Sequence, residues 1–596
     1  MLTVEQRKQE MIQWLSSMLE DGQEKNLPEI DDNAVLYSGR GIHALEKMKR
    51  SKRWGGEIGP HNEGCYWIAR MACNPMACYD AVIERIVKIY WLEERAGKAR
   101  GVTATDFIIS HLLRIYCLYK GKINVSDAMW QKVKEVFLAE DYATYFEPMS
   151  ENHKLMHFAN AAVAYSLFEE EIFSNGIDGK HNLVLVKRNL LRFANKKLKN
   201  GWCEFDSGYY RVDMSSLLNL YDFHPDKQIK KLAEMLMNAL FAGFLTHEVN
   251  GFVAGPKSRV YFGLTQHAHS GIFWPKYVFT GVPENVKPDS HIDYSNAYFA
   301  TTKFELAPAL VKIASEPKEY PYEVKERELN YTLPEDDSIK ASTKKYFYVT
   351  ESYAMGAIVQ REKNEHPAHD WMRGHQEQPW SLVFAENDEA TIYSGHPGNP
   401  DGDTYGAHCE WTGDWMCNCG HYYQNKNVLI GSNIIKGENE LKKMHFYMPK
   451  KAFDRIHEAD KRIFLQLGDT TTVVTTSDPF RWGSGTNQEI ELVVEGAETA
   501  FAVEVFEHCN IDEAVERTKN CVLMLSKNGV TYNSYEKNEL KLDFDGGRYF
   551  NGESVDFSQY PLYGSKYIQS EYGSGKIVAM CAGEVCTIAD CDSLTD

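Results

Sequence analysis

Several signals are missing from this 596-residue chain, and each absence removes a class of answer. No window reaches the roughly 18–20 consecutive apolar residues of a spanning helix. The opening Met1-Leu2-Thr3-Val4-Glu5-Gln6-Arg7 has no basic segment followed by an apolar run, so it is not a signal peptide. Positive charge is in deficit: 65 Lys and Arg stand against 84 Asp and Glu, a net charge of −19. Duplex binding rests on neutralising phosphates, so nucleic acid is excluded as a partner, and an anionic membrane surface with it. The glycines form no phosphate-binding loop. Gly39-Arg40-Gly41 and Gly483-Ser484-Gly485 lack a strand-turn-helix setting, and no Gly-x-Ser-x-Gly elbow occurs. The 13 cysteines are odd in number and scattered, in a chain too large to need staples. They read as free thiols, and the chain reads as cytoplasmic. There is no fixed self-similar repeat, which disfavours a solenoid.

What is present is a change of periodicity halfway along. Helical spacing of apolar residues runs through 5–19, 77–92, 104–119, 126–137, 152–168, 183–198 and 227–245. Short loops with caps and breakers separate these stretches. From about Lys344 the apolar runs become short and alternating, as in Tyr346-Phe347-Tyr348-Val349, Trp380-Ser381-Leu382-Val383-Phe384 and Ile463-Phe464-Leu465-Gln466-Leu467. The tail from Tyr567 to Asp590 reads as further strands. The expected class is a multidomain α+β protein. Residues 1–330 form a helical domain of hairpins packed in a layer or ring, and 331–596 an antiparallel β-sandwich. The high aromatic share, 12%, suits either a core or a cleft that stacks on sugar rings.

Polar residues cluster at a few points. Ser150-Glu151-Asn152-His153 opens a helical stretch, and Glu204-Phe205-Asp206-Ser207-Gly208-Tyr209-Tyr210-Arg211 follows one hairpin later. An amide, an imidazole and a phenol are the groups needed to remove a proton from a carbon beside a carboxylate. Each has a plainer reading: Asn152 or Ser150 as a helix cap, Tyr209 and Tyr210 as core aromatics. Arg211 and Arg259 suit a bidentate clamp on a carboxylate or sulfate, or an interdomain salt bridge. Beside Arg259 lie Tyr261, His267 and His269, which suit a cleft wall. The run from His366 through His369, Trp371 and Arg373 to His375 is unusually polar for the start of a β domain. It is expected to deliver a second acid/base group to the cleft; His369 is the catalytic candidate, with the choice among His366, His369 and His375 open. His408, Cys409, Cys417 and Cys419 could ligate zinc, although Cys-x-Cys is not a standard spacing.

The domain order, the Asn152-His153 pair at a helix start and the Ser207-Gly208-Tyr209-Tyr210 turn together resemble the heparinase II/III-like and oligoalginate-lyase-like polysaccharide lyases. The resemblance implies an (α/α) toroid, here an incomplete helical barrel, followed by a β-sandwich. It implies β-elimination on a uronate-containing oligo- or polysaccharide. Asn152 and His153 would neutralise the carboxylate, and Tyr210, with Tyr209 second, would act as acid/base. No cofactor is required by that chemistry, although related lyases can carry a structural metal, zinc or calcium, in the β domain. A homo-oligomer is left open. The main rival is a glycoside hydrolase on a helical toroid, which needs two carboxylic acids facing one cleft. Glu63, Glu151, Glu204 and Asp206 are its available members. A non-catalytic carbohydrate-binding protein is the third reading.

Overall fold

The first half of the chain folds into helices because its apolar residues recur every three to four positions. The computed structural model describes residues 2–25, 27, 30, 60–100, 104–142, 150–260, 271–283, 295–329, 342–362, 377–397, 411, 419–438 and 441–594. Helices α1 (Val4–Ser17), α2 (Pro60–Cys73), α3 (Asp80–Arg100), α4 (Thr105–Tyr119), α5 (Asp127–Ala139), α6 (Glu151–Leu167), α7 (Gly179–Asn200), α8 (Tyr210–Phe223) and α9 (Lys227–Leu245) succeed one another. Thr3 caps α1 in a capping box, and Asp178 and Asp226 cap α7 and α9. Among the described residues, no helix is long and apolar enough to cross a membrane.

Helix α6 is central, packing on α4, α7 and α8. Both α6 and α8 are buried on nearly all sides. Two polar residues of α8, Asn219 and Asp222, are met by α4. Asn219 accepts from Arg114 at 3.0 Å and donates to the Ser110 carbonyl at 3.1 Å, while Arg114 pairs with Asp222 at 2.9 Å. A buried charge and its partner so arranged avoid the cost of an unpaired ion.

Among the described residues, the strands of the second half pair antiparallel. One twelve-stranded sheet, a six-stranded sheet and a five-stranded sheet account for most of it. The twelve-stranded sheet begins at Tyr322–Leu329, inside the segment expected to be helical, and that strand pairs along its whole length with Ser342–Val349. The helix Pro308–Ser315 immediately precedes this strand.

Alternation along the strands decides which layer meets which. Phe347, Val349, Ala354 and Val383 face the helical core, whereas Tyr353, Met355, Leu382 and Phe384 face the six-stranded sheet. In that sheet Leu429, Phe501 and Val503 answer them, and Val428, Ile430, Ala500 and Ala502 turn to the five-stranded sheet. The last strands, Lys576–Cys581 and Glu584–Asp590, return to the helical half and lie against α9 and the helix Pro308–Ser315. A loop from the helical half presses on the twelve-stranded sheet at Gly356, where a Cβ would come within 1.9 Å of the Gly255 carbonyl oxygen. Only glycine fits there.

Candidate functional site

The start of α6 is assembled by its own first residues. Ser150 holds the N-cap position in extended conformation but makes no side-chain cap. Its hydroxyl donates instead to Asn152 Oδ1 at 2.6 Å. Asn152 thus lies inside the helix and is not the cap. Glu151 is fully buried and braces the neighbouring loop, accepting from the Cys203 and Glu204 amides at 3.0 and 2.8 Å and pairing with Lys197. That loop leaves α7 at Gly201, whose φ of 80° requires glycine or strain, and delivers Glu204, Asp206 and Tyr209.

Arg259 arrives from the other direction. Lys257–Ser258 pairs with Glu377–Gln378 of the β half, and the Ser258 amide donates to the Phe205 carbonyl at 2.9 Å. Arg259 itself is held in the left-handed region, φ 50°, a sparsely populated conformation for a side-chain-bearing residue. Its guanidinium donates to Glu204 Oε1 at 2.8 Å and Asn152 Oδ1 at 3.2 Å, and its carbon centre lies 4.1 Å from the centre of the Tyr209 ring. Asn152, Tyr209, Arg259 and Glu204 therefore form one constellation, with Arg259 at its hub.

Asn152 is wholly buried, and Ser150 and Arg259 both address its oxygen. Its Nδ2 has no hydrogen-bond partner among the described residues. A buried amide donor left unmet costs about 1–3 kcal/mol, so such groups are rare and call for an explanation.

His153, next along, is partly exposed and turns to α4, where its Nδ1 lies 2.5 Å from Asp106 Oδ2. One turn on, His157 Nε2 is 3.6 Å from the same oxygen. Burial holds the His157 imidazole neutral by lowering its pKa to about 4, against the pull of Asp106.

Tyr210 and Tyr209 part company. Tyr210 is 2% exposed, its ring against Trp202, and burial together with Glu328 and Asp206 raises its phenol well above the ordinary tyrosine value. Tyr209 stays half-buried at the mouth of the loop, under Arg259. Arg211 is half-buried on the first turn of α8.

Behind the site, a buried charge network joins the two halves. His247 is stacked on Phe347 at 3.8 Å, with Nδ1 2.7 Å from Asp206 and Nε2 3.0 Å from Glu326. Burial opposes its charge, but the two carboxylates overcome it and raise its pKa to about 9. Lys345 pairs with Glu326 and Glu328 at 2.9 and 3.1 Å. Burial raises Glu328 to about 7 and Asp213, beside Glu204, well above the carboxylate range. The carboxylates available to a hydrolase each face a cation: Glu63 faces Arg85, Glu151 faces Lys197, Glu204 faces Arg259 and Asp206 faces His247.

The expected residues Tyr261, His267, His269, His366, His369, Trp371, Arg373, His375, His408, Cys409 and Cys417 lie outside the described residues. Cys419 is buried. The strands flanking 363–376 do reach this region: Arg361 pairs with Glu377, and Glu377 is the register partner of Ser258, next to Arg259. Sequence reasoning missed Asp106, His157, Asp213 and His247. The His-x-x-x-His spacing of 153 and 157 was the available signal for His157, since it puts both rings on one helix face; Asp106, on another helix, had none. A groove of about 790 Å³ beside Leu27, Trp91 and Arg95 contains none of the residues of either cluster. No protein-family model matches the chain, and no curated protein matches it.

Proposed function

We propose that the chain is a lyase that cleaves a uronate-containing oligo- or polysaccharide by β-elimination, on an incomplete (α/α) toroid followed by a β-sandwich. The observation that carries the reading is the amide of Asn152: buried, its oxygen held by Ser150 and Arg259, its Nδ2 lacking a partner among the described residues. A preorganised donor of that kind suits a carboxylate on which charge develops.

In the elimination a base takes the C5 proton of the uronate. The C–H electron pair becomes the C4–C5 double bond, and the C4–O4 bond breaks to release the leaving hydroxyl. While C5 is being deprotonated, charge moves onto the C6 carboxylate. Asn152 Nδ2 and the Arg259 guanidinium are the donors we assign to that carboxylate. A donor fixed where charge develops supplies about 3–4 kcal/mol. Tyr209 is the group we assign to proton transfer, first as base and then as acid to O4. It is half-buried rather than sealed in the core as Tyr210 is, and Arg259 sets a positive charge beside the ring that transiently carries negative charge. His153 adjoins Asn152 and is oriented by Asp106.

The pairing of Glu63, Glu151, Glu204 and Asp206 with cations weighs against the hydrolase, which needs one carboxylic acid held protonated and one free base. The deciding experiment follows ultraviolet absorbance of the purified protein with alginate, heparan, chondroitin, glucuronan and ulvan fragments. A rise marks an unsaturated uronate. New reducing ends with a flat trace would replace the lyase by the hydrolase.

A further inference from the structure

We propose that Asp106, His153 and His157 form a binding site for one divalent first-row metal ion of the zinc type. The three donor atoms converge from two helices. Asp106 stands on the first turn of α4. Its Oδ1 accepts from the Phe107 amide at 3.0 Å, which turns Oδ2 toward α6. There it meets His153 Nδ1 at 2.5 Å and His157 Nε2 at 3.6 Å, and the three donor atoms all lie within 4.8 Å of one another. The helix spacing brings this about, since residues four apart share a face. Asn160, one turn further on α6, donates to the Asp106 carbonyl at 2.8 Å and fixes the start of α4 against it.

The spacing suits the ion. Zinc–nitrogen and zinc–oxygen bonds of about 2.0–2.2 Å in a tetrahedral site set neighbouring donors about 3.3–3.6 Å apart. The Asp106–His157 pair already has that separation. The Asp106–His153 pair must open by about 1 Å on this scale, a movement of the one ring in the set with room to make it. His153 is 22% exposed at its side chain, against 0% for Asp106 and 3% for His157. The chemistry of the donors is also right. Two imidazoles and a carboxylate, with a fourth position left over, are a set that holds zinc and its neighbours. A proton shared at Oδ2 can bridge to one imidazole, whereas a metal ion engages the lone pairs of all three and balances a buried carboxylate. The cluster reaches solvent past His153, so the fourth ligand, a water or an anionic oxygen, enters there.

This site is tested without substrate, so that its failure is distinguishable from failure of the elimination reading. The full-length chain is stripped with a chelator and dialysed, then titrated with Zn²⁺ by calorimetry, with bound metal counted by mass spectrometry. Wild type should take up one equivalent that His153→Ala and His157→Gln each lose and that Cys417→Ser/Cys419→Ser keeps. Folding of each variant is checked by circular dichroism. Loaded with Co²⁺, the site should show ligand-field bands without a sulfur-to-cobalt charge-transfer band. Zn²⁺ should also raise the thermal midpoint of wild type but not of His153→Ala. Should His157→Gln fail to fold, His153→Ala, altering the more exposed ligand, carries the test. Failure of wild type to bind, or an equivalent that survives in the folded histidine variant and vanishes in the cysteine variant, overturns the proposal.

Discussion

Replacing Asn152 by alanine separates a catalytic amide from a structural one. The change removes an acceptor of two hydrogen bonds, from the Ser150 hydroxyl at 2.6 Å and the Arg259 guanidinium at 3.2 Å. A neutral bond of this kind is worth about 1 kcal/mol and a charge-assisted one about 2 kcal/mol. The same substitution deletes the buried Nδ2, whose unmet donor capacity costs about 1–3 kcal/mol. The two effects oppose each other. The net loss of stability should lie between nothing and about 2 kcal/mol, a shift of a few degrees at most in the thermal midpoint of a chain this size. The transition state is affected differently. Losing a donor from the developing enediolate costs about 3–4 kcal/mol, a fall of ~10²–10³ in kcat. Initial rates of ultraviolet absorbance gain, normalised to folded protein by circular dichroism, measure both quantities on one sample. If Asn152→Ala keeps the wild-type rate, or if its activity falls only as the folded fraction falls, the assignment of Asn152 is wrong.

The tyrosines give a second separation. Tyr209→Phe should abolish turnover with KM nearly unchanged, because it removes a proton-transfer group and not shape. Tyr210→Phe, in the core against Trp202, should act mainly on stability; kinetics of both variants with one substrate decide between them. The interdomain network predicts a pH dependence. His247 is raised from 6.5 to about 9, so its stabilising charge is complete below pH 6.5 and is lost as pH rises toward 9. That gap corresponds to about 3 kcal/mol. The urea midpoint should fall over this interval in wild type, and a midpoint that stays flat would refute a charged His247 between Asp206 and Glu326.

Much of the fold is legible without coordinates. The helical spacing of 183–198 and 227–245 reappears as α7 and α9, and the alternation of Tyr346–Val349 and Trp380–Phe384 as strands with one face to each neighbouring layer. Helix α8 is not legible in this way. Met214, Leu217, Leu218 and Tyr221 do fall at helical spacing, but Ser215, Ser216 and Asn219 on the other faces are buried as well, so the stripe does not separate an inside from an outside. The strand Tyr322–Leu329 hides for a related reason. Its inward residues include Glu326 and Glu328, charges that only Lys345 and His247 make tolerable in a core.

The chain by itself determined that a helical half precedes an antiparallel one, and that Asn152, His153 and the tyrosine pair are its most suggestive polar residues, because periodicity and local motif are properties of neighbours in sequence. Only the tertiary structure decided that Tyr209 rather than Tyr210 lies beside Arg259, that Asn152 presents a buried nitrogen without a partner among the described residues, and that Asp106 meets two histidines. Adjacent residues on one turn point about 100° apart on a helix. Which of them is sealed in and which meets a guanidinium 50 residues away depends on packing between elements, and no local pattern carries that information.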